Sequence, residues 1–146
     1  MGRVKVGITI DAPPRRVWAA VEHVERHVDW MADAEAIRFT SRSHQGVGTT
    51  FECDTRIGPF RLTDEMEITA WRPGKVMGVR HVGLVTGTGR FILRRARSGR
   101  TRFTWEERLR YPRWMGGPVG GVVGDQIMRQ VWKRNLRRLQ QQVEGP

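Results

Sequence analysis

The chain opens on Val4-Lys-Val-Gly-Ile-Thr-Ile10, where apolar and polar residues alternate as in a strand with one buried face. Asp11 stands where a helix N-cap belongs. Ala12-Pro13-Pro14 suits a first helical turn, because proline's missing N–H would have no partner there. Val17, Trp18, Val21, Val24 and Val28 then recur at three- and four-residue steps, an apolar stripe on a helix that packs against a sheet. The stripe fails around His27-Val-Asp-Trp30, and a second short helix is expected through Met31-Ala-Asp-Ala34.

From about Ala36 to Arg110 the period changes to two, with turn signals at Gln45-Gly46, Gly58-Pro59, Arg72-Pro73-Gly74, Gly83 and Ser98-Gly99. Strands are expected near 36–43, 48–57, 60–71, 75–82, 86–96 and 101–110, which with the first makes an antiparallel meander of about seven. The stretch Arg113-Trp-Met-Gly-Gly-Pro-Val-Gly-Gly121 is too rich in glycine for regular structure and is expected to be a flexible approach loop. Val122 to Val143 is expected to form a long helix. Ile127, Met128, Val131, Trp132, Leu136, Leu139 and Val143 fill one half of its wheel, and Arg129, Lys133, Arg134 and Arg137 the other.

No repeat, linker or low-complexity tract divides the 146 residues, so one domain with one core is expected over 1–146. No run of apolar residues reaches the length of a membrane span, and the N-terminus leads straight into the first strand; a soluble, cytoplasmic protein is expected. Cys53 is the only cysteine and has no partner at metal-ligand spacing. No disulfide, metal site or cofactor is expected, and Cys53 is read as a small buried hydrophobe. The formal charge of +11 comes almost wholly from arginine, spread through nearly every segment and densest at Arg90, Arg94, Arg95, Arg97, Arg100 and Arg102. Such a surface is compatible with an anionic membrane or an acidic partner. Nucleic acid ranks behind these, because the Ser98-Gly99 hairpin lacks the interleaved aromatics of a single-strand platform.

The order strand, helix pair, six strands and long helix resembles the α+β helix-grip fold of the START-like (SRPBCC) superfamily. Ile8-Thr-Ile-Asp-Ala-Pro-Pro-Arg-Arg-Val-Trp18, with Asp29-Trp30 a dozen residues later, is similar to the opening of its polyketide cyclase/dehydrase and lipid-transfer group. Gly46-Val-Gly-Thr-Thr-Phe51 and Gly99-Arg-Thr-Arg-Phe-Thr-Trp-Glu-Glu107 fit the same pattern. The resemblance implies a curved seven-stranded sheet wrapped around the long helix, enclosing a cavity for an apolar molecule such as a lipid, quinone or polyketide. It does not fix a reaction, because that superfamily contains carriers, cyclases and sensors.

Strand parity selects the residues that would line such a cavity. Phe51 and Cys53 share a face, as do Leu62, Asp64, Met66 and Ile68, then Phe91 and Leu93, then Phe103, Trp105, Glu107 and Leu109. Asp64 and Glu107 are carboxylates on otherwise apolar faces, where each must find a partner or shift its pKa. An arginine partner or an outlet to the rim is expected for each; their functional reading is ligand hydrogen bonding or general acid–base work. The facing of His81 is undecided by its neighbours, and Asn135 lies on the apolar half of the long helix. Asp64, His81, Glu107 and Asn135 are therefore the candidate polar points, the first three also the catalytic candidates. Of the six tryptophans, Trp18 and Trp71 fit structural packing, while Trp30, Trp105, Trp114 and Trp132, with Met115 and Met128, are placed for the cavity or its mouth. No P-loop, dinucleotide fingerprint, nucleophile elbow or metal motif is present. The leading reading is binding or transport of a small hydrophobic ligand, with the 116–121 loop as a gate; a cyclase, aromatase or dehydratase using pocket acids is the alternative, and RNA or ribosome binding comes third.

Overall fold

The computed structural model describes residues 2–112, 114 and 117–145. The elements run β1 (Gly2–Ile10), α1 (Pro14–Val21), a 3-10 segment (Val24–Asp29), β2 (Ala34–Phe39), β3 (Thr50–Ile57), β4 (Phe60–Arg72), β5 (Val76–Val82), β6 (Thr86–Arg95), a 3-10 turn (Arg97–Gly99), β7 (Thr101–Arg110) and α2 (Gly117–Glu144). The seven strands form one antiparallel sheet in the order β1-β7-β6-β5-β4-β3-β2, so that β1 closes the meander beside the last strand. This is the helix-grip arrangement, with the sheet curved around α2.

Alternation in the strands carries the core. Phe51, Ile68, Met77, Phe91, Leu93, Phe103 and Trp105 are all buried, and from α2 they meet Met128, Trp132, Leu136, Leu139 and Val143. Each fully buried side chain of this kind stabilises the fold by roughly 1.5–3 kcal/mol relative to exposure. The edge strand β1 is covered by α2. Gln140 Nε2 donates to the Thr9 carbonyl at 3.0 Å and Glu144 accepts the Asp11 N–H, just beyond β1, at 2.8 Å, so the C-terminal end of this edge is tied to α2.

Four local expectations differ from the structure. Asp11 makes no cap: Pro13 is the N-cap of α1, without a side-chain hydrogen bond, and the Asp11 carboxylate lies 3.5 Å from Arg100. The second helical segment is the 3-10 stretch Val24–Asp29, on the residues where the stripe fails, while 31–33 is a turn leading into β2, which also starts and ends earlier than periodicity suggested. Residues 117–121, expected as part of a loop, are the first turn and more of α2; a run of local i to i−4 bonds tolerates glycine at a cost of about 1 kcal/mol each, which the rest of a long packed helix can offset. That removes the glycine gate as a loop, and Gly116 lies outside the described residues. On the helix wheel, Ile127 is 46% exposed: the buried stripe is narrower than half the wheel and runs through Met128, Trp132, Asn135 and Leu139.

Register decides which face His81 takes. β4 carries an irregularity between Ile68 and Ala70, after which Trp71 opposes Met77, while before it Met66 opposes His81. Met77, Val79 and His81 therefore line up on the inner face, and Arg80 turns outward to Glu67 at 2.6 Å.

Candidate functional site

Between the inner face of the sheet and α2 lies a cavity of about 110 Å³. Phe51, Cys53, Met66, Phe91, Trp105, Met128 and Trp132 form much of its wall, together with Leu62, Val79 and Leu109. The aromatic side is fixed by packing: Trp105 stacks on Trp132 from α2, with centroids 4.8 Å apart and planes 23° apart, and meets Phe91 edge-on at 5.3 Å.

Asp64, His81 and Glu107 converge in this wall. His81 Nδ1–H donates to the Asp64 carboxylate at 2.9 Å and 3.0 Å, and Nε2–H donates to Glu107 Oε2 at 2.9 Å. Trp105 Nε1–H donates to the other oxygen, Glu107 Oε1, at 3.2 Å. His81 and Glu107 stand on strands that are not neighbours, since β6 runs between β5 and β7. The ring spans that gap because the inward positions of β6 here are Gly87, opposite His81, and Gly89, opposite Glu107. Neither has a side chain to fill the space, and a Cβ on Gly89 would collide with the Glu107 carboxylate.

With a carboxylate on each ring nitrogen, His81 is an imidazolium. Burial alone would lower its pKa, but the hydrogen bonds and negative charge of Asp64 and Glu107 more than reverse this and raise it to about 10. In place of the arginine partner or rim outlet expected for Asp64 and Glu107, both acids pair with a buried histidine. Arginine belongs to the outer face: Arg90, although it borders the cavity, points its guanidinium to Glu106 at 3.3 Å.

Asn135 is fully buried but works elsewhere. Its Oδ1 accepts the Ala32 N–H at 3.0 Å and its Nδ2 donates to Asp33 Oδ1 at 2.8 Å, which ties α2 to the segment before β2. It does not line the cavity, and what it presents there is its partner, Asp33. Burial raises the pKa of Asp33, against the lowering effect of the Asn135 bond. The sequence reading passed over Asp33 because it fell in the segment taken for a helix. It also passed over His27 and Tyr111, which border the cavity. His27 Nε2–H donates to the Val21 carbonyl at 2.7 Å, and burial lowers its pKa to about 4, so that it is a neutral ring. Among the described residues the Tyr111 hydroxyl is buried without a hydrogen-bond partner, and the buried Trp132 indole N–H has none closer than Asp33, whose pKa it helps to lower. Cys53 is buried, and burial pushes its thiol pKa up to about 12, which makes it the inert hydrophobe expected.

Two expected wall residues lie elsewhere. Trp30 is completely buried but outside the cavity lining, its ring packed behind the wall against Trp105 at 5.8 Å. Trp114 is 59% exposed and meets Phe60 at 5.9 Å, away from the cavity lining. Met115 lies outside the described residues. Trp18 and Trp71 pack edge-on against each other at 5.1 Å, as structural residues. Among the described residues no group of histidine, cysteine and carboxylate side chains has metal-holding geometry, and no helix is long and apolar enough to cross a membrane.

A sequence profile of the family described as polyketide cyclase / dehydrase and lipid transport matches residues 1–144. The chain belongs to that family. Several solved structures share the fold at low identity. TTHA0849 from Thermus thermophilus has a TM-score of 0.82 at 17% identity, covering 98% of this chain and 97% of that one. A START superfamily protein from Mycobacterium smegmatis has a TM-score of 0.77 at 11% identity, covering 97% of each chain. The Zhui aromatase/cyclase from Streptomyces sp. R1128 has a TM-score of 0.71 at 17% identity, covering 98% of this chain and 93% of that one. No curated protein sequence matches significantly. The family and its fold are consistent with binding of a small hydrophobic ligand.

Proposed function

We propose that this family member binds a single-ring-sized apolar molecule in the cavity between the sheet and α2. The observation that carries the reading is the cavity itself: an apolar, aromatic wall around a space of about 110 Å³. An apolar cavity of about 150 Å³ in another protein takes up benzene. A long polyketide or lipid chain would need α2 to move away from the sheet, whereas a single ring with a short substituent approaches the space as it stands.

Binding is favoured over turnover by the state of the polar residues. A general acid or base works best with a pKa near the operating pH, and a base needs a free lone pair. His81 has neither, because its pKa is about 10 and both nitrogens already donate to carboxylates. Asp64 and Glu107 are likewise engaged by His81, and Glu107 also by Trp105. The cluster holds three strands in register and supplies a fixed polar end to an apolar site.

The test is titration with ethylbenzene, followed by methyl NMR of Met66 and Met128. Saturable shifts that vanish in a Leu62→Trp variant, which fills the cavity from β4, are expected. Unsaturable or absent shifts in the folded wild type would sink the reading.

A further inference from the structure

The polar end of the cavity has an imbalance. Asp33, Asp64 and Glu107 place three carboxyl groups around it, against one cation, His81. No arginine or lysine side chain compensates among the described residues: Arg90 is directed to Glu106 on the outer face, and the other lining residues are neutral or apolar. Both N–H groups of His81 are spent on Asp64 and Glu107, so the cluster offers an incoming molecule no imidazolium donor. What it offers is acceptors. A carboxylate has about four lone-pair sites. Among the described residues Asp64 uses its oxygens only on His81 Nδ1, while Asp33 takes Asn135 Nδ2 on Oδ1 and has the Trp132 indole N–H beside it.

These groups are built into the fold. The side chains of His81, Glu107 and Asp64 are 6%, 9% and 13% exposed, and Asp33 is fixed through a fully buried Asn135. Acceptors and negative charge at low exposure are costly unless met by donors. A ligand carboxylate there would add like charge, and an apolar group would leave the acceptors unmet. An ammonium supplies three donors and a positive charge in the space of a methyl group.

We infer that the ligand of this cavity is a small aryl or alkyl amine, whose ring lies against Trp105 and Trp132 and whose ammonium is held by Asp33 and Asp64. The inference rests on the reading of the cavity as a binding site and specifies its chemistry. It excludes fatty acids and other carboxylates as preferred occupants.

The experiment compares three probes of nearly equal size by calorimetry and NMR: ethylbenzene, benzylamine and phenylacetate. Benzylamine is expected to bind at least about tenfold more tightly than ethylbenzene, and phenylacetate more weakly than either. Asp33→Asn keeps the shape and the acceptor for Asn135; it is expected to remove most of the advantage of benzylamine over ethylbenzene. Asp64→Asn provides a second variant should the first misfold. Ethylbenzene binding as tightly as benzylamine, or a benzylamine advantage untouched in both variants, overturns the amine assignment and leaves the apolar-cavity reading standing. Failure of all three probes overturns both.

Discussion

The carboxyl group of Glu107 lies over Gly89, its cross-strand partner on β6, in the space a side chain there would occupy. This close approach lets a residue on β7 reach the imidazole of a residue on β5 across the strand between them. The polar cluster therefore depends on glycine as much as on its charged members.

Gly89→Ala is expected to destabilise the protein by about 1–3 kcal/mol, the usual range for overpacking a filled interior. Urea unfolding checks this. In a Glu107→Ala background the cost should largely disappear, giving a coupling of at least about 1 kcal/mol in the double-mutant cycle. An equal cost in both backgrounds would place the strain elsewhere.

His81→Leu removes the one cation between two buried carboxylates and is expected to cost about 3–5 kcal/mol at neutral pH. The pH dependence has a definite sign. The folded pKa, about 10, lies above the unfolded value of 6.5, so the contribution of His81 is complete below pH 6.5 and is lost as pH rises through about 10. Wild-type stability should fall over that interval relative to His81→Leu. In NMR the imidazole should stay protonated well above neutrality, and a titration near 6.5 would contradict the ion cluster.

His27 has the opposite dependence. Its folded pKa of about 4 lies below the unfolded 6.5, so its neutral, buried form favours folding above pH 6.5, and that contribution is lost as pH falls through about 4. His27→Phe, which keeps an aromatic ring beside Trp30 and Phe91, should flatten the stability loss between pH 6.5 and 4 relative to wild type. Urea midpoints at several pH values measure the difference. Parallel curves would show that this ring is already charged or accessible to water.

Asn135→Leu keeps the bulk on α2 but leaves the Ala32 N–H and the Asp33 carboxyl without their partner. Each lost partner in a buried site costs about 1–3 kcal/mol. A total of about 2–4 kcal/mol is expected in urea unfolding. Protection of the Ala32 amide from hydrogen exchange should fall as well, and undiminished protection would show that the amide has another acceptor.

Asp64, Glu107 and His81 show where sequence reading stops. The period of two along β4 and β7 put the two acids on apolar faces, since alternation is a property of each strand by itself. Their partner was not legible, because it depends on register: the irregularity after Ile68 sets Met66 opposite His81, and no local pattern encodes that offset. One signal was present and unused. Gly87 and Gly89, two apart in a strand otherwise suited to packing, mark a place where side chains from elsewhere come close to the backbone.

The sequence by itself determined the first helix, the seven strands of the antiparallel meander, most of the long final helix and the apolar stripe that faces the sheet. Each follows from periodicity and turn residues acting over a few positions. Tertiary structure alone decided that Asn135 braces Asp33 instead of lining the cavity, that Trp30 packs behind the wall and Trp114 stands in solvent, and that His81 pairs both acids. Those outcomes rest on contacts between residues far apart in the chain, where a shift of one position in register turns a side chain from one face to the other.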